Sequence, residues 1–567
     1  MPPPKLVLSD TLVHNPAPGQ ELPLTDAAVE EYRASGLWSG RTLRSLLTDA
    51  AARAPEAPAL VGHRSGQPGR ERLNYREFDE RVRVAADALS RLGVREGDAV
   101  AVMLPNRVEF PILIFAIAEL GAVYVGLPVA YGRREMTAIL RRSQARVLVT
   151  VPSWRGNSPL SLARELRPEL PGLRTIAVVE DTRAAELAEG EVRWADLPGS
   201  ARHDRPEPSA SRLCHLGFTS GTTGEPKGVM NNHEALIAVL ERFVEHMGAA
   251  TFGEPIVQLV ASPIGHHSGF LWGILMTVEL GGTAVLVDRW DPAEGSNLIR
   301  EEGVTAMVNA PTFLMDLLET DLAGDPGCPL RTVVLAGAPV PRALPETAGA
   351  SLGAFVCPAW GMTEYGIAIS CAPHLPEQAL RTDGVPVPAA QVAVVADDGT
   401  ELPPGEEGDL LVRGPGLFLG YYGHPDETRK VFTADGWFHT GDRAVRGTDG
   451  TVALRGRSKD IIIRGGENIP VAEVENLVHA HPDIVNAAVV GYPDERLGER
   501  AAAVVVLREG SRMELAQLCD YLLKQGLSKH HLPERLEIRD ELPMTMSGKL
   551  RKAELRKQLA AAGGDAE

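Results

Sequence analysis

The stretch Phe218–Val229, FTSGTTGEPKGV, gathers three glycines, four hydroxyl side chains and one lysine. Glycine opens backbone conformations closed to other residues and lets main-chain N–H groups come close to a ligand, so a loop of this make-up suits an anion, phosphate first. It follows the strand-like run LCHLGF, which makes a bare surface turn the weaker reading. The P-loop of NTPases is excluded. That motif needs lysine directly after its second glycine and a hydroxyl next to it, whereas Gly224 is followed by Glu225 and Pro226. His266 and His267 invite a metal, but neighbours in an extended segment point to opposite sides and chelate poorly together. Cys214, Cys328, Cys357, Cys371 and Cys519 lie far apart with no CxxC pair, which argues for buried free thiols over disulfides or a cysteine zinc site.

The elements that must carry this loop alternate. TLRSLLTDAAARAP and NYREFDERVRVAADALSRLG place apolar residues at helical spacing, and AVAVMLP reads as a buried strand. ARVLVTV, LRTIAVVE, GTAVLVD, VTAMVNA and LRTVVLAG are further short apolar runs, separated by helical stretches such as NNHEALIAVLERFVEHM and PTFLMDLLETDLAG. Strands alternating with helices imply parallel sheets covered on both faces. Past residue 383 the texture changes to alternating runs broken by DDG and PPG, which predicts antiparallel hairpins. From IPVAEVENLVHAHPDIVNAAVVGYPDE onward helix and strand alternate again, with Leu515, Leu518, Cys519 and Leu522 on one helical face. The expected fold class is α/β. Residues 1–458 form a large N-terminal domain of parallel sheets flanked by helices, with a β-rich subdomain over about 383–458. Residues 459–567 form a small, mobile α+β domain.

A chain of 567 residues has ample length for more than one core, and 44% hydrophobic with 23% charged residues is an ordinary globular make-up. A formal charge of −18 argues against a nucleic-acid partner, so an anionic ligand must be met by local positive groups. MPPPKLVLSD lacks the apolar core of a signal peptide, and no uninterrupted apolar run is long enough to span a bilayer, so no integral membrane segment and a cytoplasmic location are expected.

TSGTTGEPKG resembles the phosphate-binding loop of the ANL superfamily of adenylate-forming enzymes. Six further segments are similar to that family's motifs in the family's order: SPIGHHSG beside the acyl pocket, LAGAPVP on the adenine side, WGMTE, the ribose segment GWFHTGD, the hinge GRSKDIIIRGGENI, and the lysine motif PMTMSGKLRK. Single matches of this kind are weak; seven in order are not a coincidence.

The resemblance implies an acid:CoA ligase that uses ATP, Mg2+ and coenzyme A, and activates a carboxylic acid as its acyl-AMP. Thr219, Ser220, Gly221, Thr222, Thr223, Gly224 and Lys227 would hold the phosphates, Thr363 the α-phosphate and Glu364 the magnesium. Asp442 would take both ribose hydroxyls and Arg457 would bridge to ribose or phosphate. Gly337, Ala338 and Pro339 would flank adenine, beside Trp360, Gly361 and Met362. Trp360 departs from the usual tyrosine. Its indole can still stack on adenine, but any phenol hydrogen bond must be lost or replaced. Lys549 would bridge carboxylate and α-phosphate, Lys459 would act as hinge, and Arg464, Gly465 and Gly466 would line a CoA tunnel. His266 would shape the acyl pocket, where Gly265, Gly269, Ala336 and Gly366 suggest spare room for a bulky acid: medium or long chain, alicyclic or terpenoid. A separate carrier protein as acceptor, a single half-reaction, a luciferase-like oxidation, and a non-catalytic nucleotide-binding interaction protein stay open as alternatives. A homodimer is compatible with the sequence.

Overall fold

The computed structural model describes residues 23–180, 182–201, 205–219, 226–375, 377–378, 381–457, 462–464, 467–469, 471–494, 497–545 and 548–562. The short apolar runs fold as strands of two large sheets. The first has seven strands in the order Glu191–Arg193, Thr175–Val178, Val147–Thr150, Ala99–Met103, Val123–Gly126, Leu213–Thr219, Lys227–Asn232; only the last pair is antiparallel. The second has nine, and its central strands, from Pro58–His63 through Thr283–Val287, Val257–Val260, Ala306–Asn309 and Thr332–Leu335 to Phe355–Met362, run parallel. Arg70–Asn74 closes one edge, and Gly366–Ser370 with Val385–Pro386 the other, all antiparallel. Ala99–Met103 and Thr283–Val287 are buried at every residue, which is why such strands read as unbroken apolar runs.

One continuous apolar core takes in residues of both sheets, among them Leu60, Ala284 and Val308 of one and Val100, Tyr124 and Val147 of the other. Helix Glu109–Glu119, EFPILIFAIAE, is apolar all round and buried at all but its first residue. Helix Tyr75–Arg91 is amphipathic instead and starts in a capping box of Asn74 and Glu77.

The texture change past residue 383 becomes an antiparallel four-stranded sheet, Gln391–Val395, Glu407–Arg413, Phe438–Arg446 and Val452–Arg457. The last hundred residues build a separate five-stranded sheet around the paired strands Ile484–Asp494 and Gly498–Leu507. One of its faces packs Val489 and Val505 against Val474, Val478, Leu518 and Leu522; the other packs Val490 and Val504 against Leu555 and Leu559. Glu475 ties this unit internally, its buried carboxylate accepting from Val489 N at 2.7 Å and pairing with Lys552 Nζ at 2.6 Å. The cysteines are free, with Cys214, Cys357 and Cys371 buried as expected and Cys328 and Cys519 part-exposed. No helix among the described residues is long and apolar enough to cross a membrane.

Candidate active site

The glycine-rich loop joins two antiparallel strands, with Thr219 paired to Lys227 at its mouth. Ser220, Gly221, Thr222, Thr223 and Gly224 lie outside the described residues. Beyond the loop, Arg142 Nη1 donates to the Pro226 carbonyl at 2.6 Å. Lys227 Nζ donates to Glu427 Oε2 at 2.7 Å and stands 5.0 Å from the centre of the Tyr421 ring. That lysine, then Lys430, pulls the Glu427 carboxyl down to about 2.

Strand Phe355–Met362 ends in Trp360, Gly361 and Met362, and Gly366–Ser370 returns antiparallel beside them, so that Thr363 and Glu364 sit on the turn. Glycine is required at 361, where a Cβ would stand 2.2 Å from the Gly366 carbonyl oxygen. Gly217 is needed too, since a Cβ there would meet the Thr363 methyl at 2.7 Å. Glu364 is only 6% exposed, and its Oε1 accepts the Tyr421 hydroxyl at 3.0 Å. Burial raises its pKa, while the Tyr421 hydroxyl and the charges of Arg457 and Lys549 oppose the rise.

Asp442 is 8% exposed and lies opposite Arg457 on the neighbouring strand. Its two oxygens are held from two sides: Trp360 Nε1 donates to Oδ2 at 2.9 Å, and Arg457 Nε approaches Oδ1 to 3.2 Å. The indole thus supplies a hydrogen bond in place of the missing phenol, and each carboxylate oxygen keeps further acceptor capacity for a diol.

Lys549 comes from the far end of the chain into this cleft. A Cβ added to Gly337 would stand 3.3 Å from Lys549 Cε, and one added to Gly548 would stand 2.3 Å from Thr312 Oγ1. Lys549 is exposed as a whole residue, yet loss of solvation at its head group and then the Arg457 guanidinium hold its pKa below the ordinary lysine value, with Glu364 and Asp442 opposing. Loss of solvation, then the Lys549 charge, pushes His266 down to about 3 and His267 to about 4. Both imidazoles are therefore neutral near pH 7. Ala338 and Pro339 continue the Gly337 segment after strand Thr332–Leu335, and Ala336 N donates to the Asn309 carbonyl at 3.0 Å.

The structure corrects the reading of spare room. A Cβ on Gly265 would stand 2.5 Å from the Leu127 carbonyl carbon, and one on Gly269 2.3 Å from the Pro263 carbonyl oxygen, so both glycines exist to let backbones pack. Gly366 has φ +90° and faces Val239 at 3.1 Å; it is a turn glycine. His266 packs edge-on against Tyr131, and behind it His215, His267, Phe270 and Tyr124 form an aromatic cluster. On the expected thiol side, the Arg464 guanidinium is engaged by both Glu534 oxygens at 2.7 and 3.1 Å. Lys459, Gly465 and Gly466 lie outside the described residues.

Sequence reasoning missed Tyr421, Glu427 and Arg142. GYYGHPDET did carry a signal, a Pro-initiated helix with acidic residues in its first turn, but nothing that paired it with Lys227. As a test for magnesium, the described residues offer no group of three or more His, Cys, Asp or Glu able to enclose an ion. One buried carboxylate, Glu364, next to a phosphate site fits an ion whose other ligands are phosphates and water.

A family model described as AMP-binding enzyme matches residues 47–422, and one described as AMP-binding enzyme C-terminal domain matches 473–549. The chain is 34% identical to 2-hydroxy-7-methoxy-5-methyl-1-naphthoate--CoA ligase of Streptomyces carzinostaticus, covering 97% of this chain and 98% of the relative. It is 30% identical to the medium-chain fatty-acid--CoA ligase of Escherichia coli K12, covering 93% and 92%. Among solved structures it resembles ATP-bound MatB from Rhodopseudomonas palustris, with a TM-score of 0.80, 27% identity, and 92% and 99% of the two chains covered.

The Trp360–Asp442 bond generates a test. Trp360→Phe keeps an aromatic face but removes the N–H donor to a buried carboxylate, and is expected to weaken AMP and ATP binding alike by about tenfold, read by calorimetry.

Proposed function

Because the chain belongs to the AMP-binding enzyme family of ATP-dependent, AMP-forming ligases, we propose that it converts a bulky hydrophobic carboxylic acid to its CoA thioester through an acyl-AMP intermediate. The observation that carries this reading is the convergence of Lys549 with Glu364, Asp442 and Arg457, with Glu364 linked through Tyr421 to Lys227 of the strand that leaves the glycine-rich loop.

In the first step a carboxylate oxygen attacks the α-phosphorus of ATP, the bond to the bridging oxygen breaks, and pyrophosphate leaves. Lys227 and the loop hydroxyls receive the β- and γ-phosphates, Thr363 donates to the α-phosphate, and Asp442 accepts from both ribose hydroxyls while Trp360 covers the adenine. Glu364 would hold magnesium, which when bound neutralises phosphate charge. Acid and nucleotide are both anions, and two unit charges about 4 Å apart repel by roughly 4 kcal/mol in a partly desolvated cleft. The Lys549 ammonium, placed between them, offsets that repulsion. His266 and His267 are neutral and leave this task to it.

In the second step the CoA thiol gives up its proton to solvent, its sulfur attacks the acyl carbon, and AMP departs with the electrons of the broken C–O bond. Lys549 must vacate the cleft for this, so residues 459–567 are assigned the motion, with Lys459 as the hinge and Arg464, Gly465 and Gly466 on the tunnel. Support for a large acid comes from the two CoA ligase relatives, one named for a substituted naphthoate and one for medium-chain fatty acids. It no longer comes from the pocket glycines.

The identity test is mass spectrometry of thioesters formed from a diverse acid library with ATP, Mg2+ and CoA. Fused-ring or medium-chain acids are expected to dominate by specificity, and acetate or benzoate in first place would refute the acid class. Lys549→Ala is expected to lower acid-dependent pyrophosphate exchange by about 4 kcal/mol of barrier, roughly a thousandfold. Thioester formation from supplied acyl-AMP is spared. Gly548→Ala, which drives a methyl into Thr312, is expected to give the same split with the lysine intact. The depressed Lys549 pKa sets a pH limb: kcat/KM of adenylation falls as pH rises through a value below 10.5, and thioester formation from acyl-AMP lacks that limb.

A further inference from the structure

Tyr421 serves two groups of the site at once. Its hydroxyl donates to Glu364 Oε1 at 3.0 Å, and its ring face carries the Lys227 ammonium at 5.0 Å. An aromatic recruited only for the core needs no hydroxyl on a buried carboxylate and no cation over its face.

The backbone holds Tyr421 to both groups. Residues 419–422 run beside the strand that leaves the glycine-rich loop: Leu419 N donates to Met230 O at 2.8 Å, Met230 N to Gly420 O at 3.1 Å, and Tyr422 N to Gly228 O at 2.8 Å. One residue upstream of that run, Phe418 N donates to the carbonyl of Glu364 at 2.8 Å. Thr428 Oγ1 accepts from Tyr421 N at 2.9 Å and so ties the run to the helix that bears Glu427, the ion-pair partner of Lys227. One short segment therefore links the turn of Glu364 to the strand of Lys227. Two groups preset at one spacing lose less freedom when a ligand spans them.

We propose that Tyr421 is a positioning residue for the metal-bound triphosphate, fixing Glu364 through its hydroxyl and Lys227 through its ring face at a single spacing before nucleotide arrives. The proposal rests on the magnesium role of Glu364 and the phosphate role of Lys227 assigned above. It predicts a discrimination that neither residue supplies alone: the site recognises the β- and γ-phosphates with their ion, and Tyr421 has no part in holding AMP.

The test is calorimetric binding to the full-length protein without acid or CoA, so no turnover is read. ATP with magnesium, ATP with a chelator, and AMP are titrated into wild type, Tyr421→Phe and Tyr421→Leu. Tyr421→Phe is expected to weaken magnesium–ATP binding by about tenfold, with chelated ATP and AMP unchanged, because only the hydroxyl is lost. Tyr421→Leu removes the cation's aromatic seat as well and is expected to weaken chelated ATP by about threefold, again sparing AMP. Equal losses for AMP and ATP would show a merely structural residue and overturn the proposal. So would a Tyr421→Phe protein indistinguishable from a magnesium-sensitive wild type. A wild type whose ATP affinity ignores magnesium would instead overturn the role of Glu364, and the inference with it.

Discussion

One ammonium among two carboxylates and a guanidinium is the constraint the rest of this structure answers to. Lys549 interacts with Glu364, Asp442 and Arg457, which come from different parts of the fold, in a protein whose formal charge is −18. At this place two cations stand among two carboxylates, against a chain-wide excess of 75 acidic over 57 basic residues. Each carboxylate is anchored by neighbours, Glu364 by Tyr421 and Asp442 by Trp360 and Arg457. These anchors give each carboxylate a partner other than the lysine.

Close approach without side chains is what admits the lysine. Gly548 lies against Thr312 and Ala310 at the start of helix Pro311–Leu318, and Gly337 lies under the lysine stem. At Gly548 a methyl would overlap Thr312, and at Gly337 it would press on the lysine stem. The contact between the small unit and the body also includes the exposed pair Arg508–Glu319 at 3.5 Å, a type worth about 0–1 kcal/mol. Neither the glycine contacts nor this exposed ion pair needs a large side chain to hold them.

The strands were legible because parallel strands buried on both faces read as continuous apolar runs, as AVAVM and TAVLV do. The antiparallel sheet was legible through its turns: Gly399 of DDG does adopt φ +84° between bridged Val395 and Glu401. Glu364, Asp442 and Lys549 were legible only as motifs. Their meeting depends on long-range packing that no local pattern encodes. Tyr421 was hidden because GYY looks like ordinary core, and its two partners lie far away in sequence. Gly265 and Gly269 misled for a simpler reason: a glycine in a sequence announces a missing side chain but not whether ligand or backbone takes the space. Here backbone does.

The glycine-rich hairpin leads from one strand directly into another. A helix starting at that point would have brought about half a positive charge through its aligned peptide dipoles. Lys227 instead begins the second strand, so in the proposed phosphate role attraction rests on discrete side-chain charge. Charges in contact with solvent are screened by dissolved ions within roughly 8–10 Å at physiological strength. In the proposed phosphate role, nucleotide capture is therefore expected to respond to the ionic strength of the surroundings.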